Sequence, residues 1–136
     1  MEFGRDNINI FARFWFEKND KSYIGVGRAE LLLRIANSGS ISKAAKEMGM
    51  SYKAAWDSVD IMNKLSPSPL VESGKGGKGG GGTKLTPLGF EAIRVFAELE
   101  RVKNIFFDYL DNSQNFAEIS QKISVLEAAL QHLRKR

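Results

Sequence analysis

Between Ser40 and Asn63 the chain reads SISKAAKEMGMSYKAAWDSVDIMN, and this stretch restricts the fold more than any other. Ser40 or Ser42 can cap a short helix containing Ala44, Ala45 and Met48. Gly49 suits the left-handed position that ends it. Ser51 can cap the next helix, which runs to about Leu65 before Pro67 and Pro69 stop it. Two short helices that cross steeply must approach closely, which favours the small side chains of Ala44 and Ala45. The tight turn between them favours Gly49. Met50 plugs the angle, and Ala55, Val59 and Met62 anchor the second helix from beneath. Tyr52, Lys53, Trp56 and Asp57 are then left on its outward, N-terminal part. This is the pattern of a helix-turn-helix, in which that part of the second helix enters the DNA major groove. A plain helical hairpin with a glycine turn would share the local signals. An outward Tyr-Lys-x-x-Trp face weighs against it, because large aromatics usually need a partner surface. Ser42, Lys43 and Ser51 also cluster at helix N-termini, where amides, hydroxyls and the helix dipole favour phosphate.

Residues 74–82 hold seven glycines and two lysines. Leu70-Val71-Glu72 and Thr83-Lys84-Leu85 read as short strands on either side, so the segment is expected to be the tip of a β-hairpin, a wing. Glycines let a backbone approach a sugar-phosphate surface, and Lys75, Lys78 and Lys84 supply the cations. Gly74 to Gly79 formally fits a dinucleotide fingerprint, but it precedes a strand and not a helix, which removes the mechanism. A structureless linker is the competing reading, and the flanking strands speak against it.

The remaining chain adds helices around this centre. Ile8 to Glu17 alternates like a strand, with a polar turn at Lys18 to Ser22 and a return strand over Tyr23 to Val26. Phe11 and Trp15 fall on its second face, which predicts cover from a partner or a packed tail. From Arg28 a helix presents Ala29, Leu32, Leu33, Ile35 and Ala36, ending near Ser38-Gly39. Thr86 caps a long helix with Pro87 at its first position and a stripe of Leu88, Ala92, Val95, Leu99, Val102, Phe106 and Tyr109. Asp111-Asn112-Ser113 breaks it. A last helix carries Phe116, Ile119, Ile123, Leu126, Leu130 and Leu133, and Asn115 with Glu118 resembles its capping box. The expected fold class is mainly α with small β (α+β): a winged helix-turn-helix with an N-terminal β-hairpin and a long C-terminal helical dimerisation arm. Residues 1–90 would be the DNA-binding domain and 91–136 the dimerisation region, since stripes at alternating steps of three and four suit helix-to-helix seams.

Charge and composition agree with a nucleic-acid partner. Of the net +4, residues 39–90 contribute +3, from seven lysines against four acids, so the surplus sits where double-stranded DNA would be met. There is no cysteine and one histidine, which argues against transition-metal sites. That histidine, His132, stands beside Arg134, Lys135 and Arg136 and reads as a solvated helix residue. Asp57 and Asp60, three residues apart, read as groups that tune or repel base contacts and not as a catalytic pair. No enzyme activity, cofactor or metal is expected. No stretch is long and apolar enough to span a membrane, and the first residues lack the order of a signal peptide, so a cytoplasmic protein is expected.

Residues of about 27–110 resemble the N-terminal domain of the ModE-type molybdate-responsive transcription regulators, a relative of the LysR-type winged helix. The matching motifs are Ser38-Gly39-Ser40-Ile41-Ser42, Ala44-Ala45-Lys46, Ser51-Tyr52-Lys53-x-Ala55-Trp56-Asp57, Met62-Asn63-x-Leu65-Ser66, and Gly76-Gly77-Lys78-Gly79-Gly80-Gly81-Gly82 before Leu85-Thr86. The resemblance implies that Ser51, Tyr52, Lys53 and Trp56 face DNA, that Ser42 and Lys43 match phosphate-contacting positions, and that Lys75 and Lys78 lie on the wing. It implies a homodimer formed with the help of the long helix after the wing. In that family molybdate binds to C-terminal β-barrel domains, whereas nothing after residue 110 here alternates like strands. No molybdate site is therefore expected, and a separate oxyanion-sensing protein is an expected further partner. The alternative is an assembly module on the same fold that no longer binds specific DNA.

Overall fold

The computed structural model describes residues 6–74 and 82–134. Along the chain run β1 (Trp15–Lys18), β2 (Lys21–Gly25), α1 (Val26–Ser38), α2 (Ile41–Glu47), α3 (Tyr52–Leu65), β3 (Val71–Ser73), β4 (Thr83–Leu85), α4 (Pro87–Leu110) and α5 (Phe116–Leu130), with a 3-10 turn at Gln131–Arg134. Among the described residues the strands form two antiparallel pairs, β1 with β2 and β3 with β4. This is the α+β architecture of a winged helix-turn-helix. Two compact units make up the chain: Phe14–Glu98, and a second that joins Met1–Arg13 to Leu99–Arg136.

In the first unit, β1 and β2 are joined through Asn19 and Asp20, both at positive φ (54° and 62°). That geometry suits a two-residue hairpin turn, and Asn and Asp tolerate it better than most residues. The core gathers Ile24, Leu31, Leu32, Ile35, Ala44, Ala45, Ala55, Val59, Met62, Leu70, Val71, Leu85 and Phe96. Phe16 meets Phe96 edge to face, with ring centres 5.4 Å apart. Asn63 fastens α3 to the strand that follows: its carbonyl oxygen accepts from the amides of Leu70 and Val71, and its amide donates to the Val71 carbonyl at 3.0 Å. Thr86 caps α4, its hydroxyl accepting from the Gly89 amide at 3.1 Å.

Gly89 lies in the first turn of α4, against the backbone of Leu70. A Cβ added there would stand 2.3 Å from the Leu70 carbonyl oxygen, a backbone atom that cannot swing aside. Gly89→Ala is therefore expected to destabilise the fold by about 1–3 kcal/mol, the usual cost of overpacking. A urea titration that leaves the midpoint unchanged would show that α4 shifts freely at its start.

The second unit closes differently. Ile8 and Ser113 exchange backbone hydrogen bonds of 2.7 and 3.1 Å. The Ile10 amide donates to Asp111 Oδ1 and the Asn112 amide to Asn9 Oδ1. Ser113 is fully buried, donating to the Leu110 carbonyl and accepting from Lys122 Nζ at 2.9 Å. Asn115 caps α5 through the Glu118 amide. The Gln114 amide donates to the Glu118 carboxylate and holds that carboxyl below its ordinary range.

Several elements differ from expectation. The strand expected over Ile8 to Glu17 begins only at Trp15, because residues 8–10 find their backbone partners in the loop 111–113 and not in a neighbouring strand. The return strand runs Lys21–Gly25, and α1 starts at Val26. Leu33 faces outward while Leu31 is buried, so the apolar face of α1 is rotated from the one expected. In α4 the expected Leu88 and Ala92 pack against the core together with Ile93 and the buried Phe96, whereas Val95 and Val102 are exposed. The first strand of the wing is Val71–Ser73, with Leu70 buried ahead of it.

Candidate nucleic-acid interface

Local chemistry sets the two helices of the motif. Ser40 is the N-cap of α2, its side chain accepting from the Lys43 amide. Gly49 adopts φ +66° in the turn, where a side chain would be strained. Ser51 is the N-cap of α3, accepting from the Ala54 amide at 3.0 Å. Ala44, Ala45 and Ala55 are buried between the helices, so the smallest apolar side chains sit where two helices must come closest.

Burial of Ala55, Val59, Met62 and Leu65 turns the opposite face of α3 outward. Tyr52 is 56% and Trp56 47% exposed, and the Lys53 side chain is 84% exposed. One helical turn separates Tyr52 from Trp56 and Lys53 from Asp57, which makes the two pairs adjacent rows on one surface. Lys53 Nζ donates to Asp57 Oδ2 at 2.8 Å, and that hydrogen bond raises the Lys53 pKa above its ordinary value, so the ammonium stays charged. A second pair, Lys64 with Asp60 at 2.9 Å, follows on the same helix. Two lysines and two aspartates therefore leave α3 with no net charge.

The wing is anchored beside this pair of helices. The Thr83 amide donates to the carbonyl of Gly39, which sits at φ +73° at the end of α1 and precedes the Ser40 cap. Gly82 passes so close that a Cβ would lie 3.1 Å from the same oxygen. The root of β4, with exposed Lys84 one residue on, thus adjoins the start of α2, where Ser42 and Lys43 are exposed. Seven of the nine expected contact residues have described positions: Ser42, Lys43, Ser51, Tyr52, Lys53, Trp56 and Lys84 are all solvent-facing within the Phe14–Glu98 unit. Lys75 and Lys78 lie outside the described residues. Lys46, exposed in the last turn of α2, is a further cation that the sequence reading did not assign, although its charge inside the motif was a usable signal. His132 is exposed in the terminal 3-10 turn. Among the described residues, no group of three or more His, Cys, Asp or Glu side chains is placed to hold a metal ion, and no helix is long and apolar enough to cross a membrane.

The model of the bacterial regulatory helix-turn-helix proteins of the lysR family matches residues 27–90. This stretch is similar to the LysR-type helix-turn-helix. Its match begins one residue into α1 and ends in the first turn of α4, so it takes in the helix pair, the wing strands and every expected contact residue. Among curated relatives, the DNA-binding transcriptional dual regulator ModE of Escherichia coli K12 is 48% identical over 85 residues, covering 62% of this chain and 32% of that protein. The molybdenum-pterin-binding protein MopB of Rhodobacter capsulatus is 41% identical over 108 residues, 78% of this chain and 40% of its own length. The molybdenum transport protein ModE of Azotobacter vinelandii is 49% identical over 91 residues, 67% of this chain and 34% of its own length. This chain spans two fifths or less of the length of these relatives.

Proposed function

We propose that this chain is a DNA-binding transcription regulator of the ModE type, which reads a palindromic duplex site as a homodimer and is not an enzyme. The observation that carries the reading is the outward face of α3. Tyr52, Lys53 and Trp56 are exposed directly opposite a buried row, at the N-terminal end of the second helix of a LysR-type motif. Such a face suits base edges in the major groove. Exposed Lys43, Lys46 and Lys84 beside it suit phosphates, which position a protein without specifying sequence. A cytoplasmic setting follows from that partner. Two of the relatives carry molybdenum in their names; we assign the stretch shared with them to DNA reading, and oxyanion sensing to a separate protein or domain.

Selection from random duplexes at stated salt tests this function, and an enriched palindrome is the expected result. A pool that emerges without sequence preference, from a chain that binds all duplexes alike or none, would refute it in favour of an assembly module. In the same experiment, replacing Lys75 and Lys78 by Ala should weaken binding to all sequences about equally. It should lower the slope of log affinity against log salt by roughly one unit per lost phosphate contact. A loss confined to particular sequences, with the slope unaltered, would remove these lysines from the phosphate-contacting set.

A further inference from the structure

Asp57 stands out on the reading face, because it is the one carboxylate in the first two turns of α3 and sits beside Trp56 and one turn from Lys53. A helix that only gripped DNA would gain nothing from it: an ionised carboxylate accepts hydrogen bonds and donates none, and the phosphates repel it. In the major groove the groups that donate are the exocyclic amino groups, cytosine N4 and adenine N6; guanine N7 and O6 and thymine O4 only accept. Lys53 engages Oδ2 of Asp57 and leaves Oδ1 to accept from elsewhere. The ammonium keeps further protons to donate. Together they present a donor next to an acceptor, at a spacing set by one helical turn.

We infer that Asp57 is a specificity-determining residue, whose carboxylate requires an amino-bearing base, cytosine or adenine, at the edge it meets and excludes guanine and thymine there. Lys53 takes the neighbouring acceptor. The inference rests on the DNA-reading function proposed above. Its mechanism is exclusion as much as attraction: the wrong base leaves a buried carboxylate facing another acceptor, which is how sites reject competitors.

The test starts from the site that the intact chain selects. At each position of a half-site, cytosine is replaced by 2-pyrimidinone and adenine by purine, which delete the amino group and keep the ring. At one position this deletion should weaken the intact chain by about tenfold, while Asp57→Ala loses the preference there and binds random duplex as well as the intact chain or better. Asp57→Asn, whose amide both donates and accepts, should admit guanine or thymine at that position. Circular dichroism melts of both variants check that the fold persists, and having two variants guards against one that does not fold. If Asp57→Ala keeps the full amino-group penalty, or loses affinity uniformly across sequences, the assignment is overturned. A chain that selects no sequence at all fails earlier, at the regulator function, and that result is distinct from either.

Discussion

A chain carrying Ile123→Asp and Leu126→Asp together should behave as a monomer in light scattering, where the unaltered chain should behave as a dimer, and should lose most of its affinity for a palindromic site. The expectation comes from the second unit. α5 has no buried residue, and Phe116, Ile123, Val125, Leu130 and Leu133 are exposed by 81%, 47%, 53%, 44% and 62% across α5 and the turn after it. In the second half of α4, Val102 and Ile105 are exposed by 61% and 67%. Isolated apolar residues on a surface are ordinary, but this many on adjacent helices exceeds what a monomer normally leaves in water. A second copy of the same helices is the cover that two-fold symmetry supplies most readily. Burying one Leu or Ile side chain is worth about 1.5–3 kcal/mol. Two such positions on each of two copies, even at half value because Leu126 is already partly covered, approach or pass the roughly 4 kcal/mol that a thousandfold change in Kd requires. Both substitutions lie outside Phe14–Glu98, so that unit should keep its cooperative melt. If the unaltered chain scatters as a monomer at micromolar concentration, or the double variant remains a dimer, these helices are not the interface.

The second large effect belongs to α3. Trp56→Ala and Lys53→Ala should each weaken binding to the selected site by about 1–3 kcal/mol, the range of a good base contact. Neither residue packs into the core, so thermal stability should stay within about 0.5 kcal/mol of the original, as is usual for surface changes. Gel-shift titrations at fixed salt measure the first quantity and differential scanning calorimetry the second. Full affinity in both variants would mean that this helix does not read bases. The exposed Lys53–Asp57 pair adds little to stability in its own right, so a loss on Lys53→Ala reports on DNA and not on folding.

What was legible in the sequence was mostly local. The caps at Ser40, Ser51, Thr86 and Asn115 and the left-handed turn at Gly49 depend on residues within three or four positions of one another, and each appears in the structure. The outward set Tyr52, Lys53 and Trp56 was legible for a related reason: small Ala55 and the spaced Val59 and Met62 leave only one face to bury. What misled was a pattern with too little contrast. Leu31, Leu32 and Leu33 are all apolar, so periodicity could not choose between them, and packing in the Phe14–Glu98 unit took Leu31 and left Leu33 outside. Alternation over Ile8 to Phe14 resembles a strand, but a strand needs a partner. The partner of Ile8 is Ser113, more than a hundred residues on, a distance that no local signal reports. Asn63 was legible as part of a motif but not as the bracket that joins α3 to β3, because a polar residue on a helix carries no periodic signature.

The cancelled charge of α3 bears on how quickly a target is found. A chain that meets random duplex is held by its phosphates alone, and that hold lets it slide and hop. Because the two lysines of α3 are each matched by an aspartate, this helix would add little friction to such travel. On the proposed reading, exposed Lys43, Lys46 and Lys84 would supply the grip among the described residues, and α3 would ride in the groove without sticking. Such a molecule would separate scanning from stopping: cations outside α3 would keep it on the track, and only a base sequence that satisfies the charge-balanced face would bring it to rest.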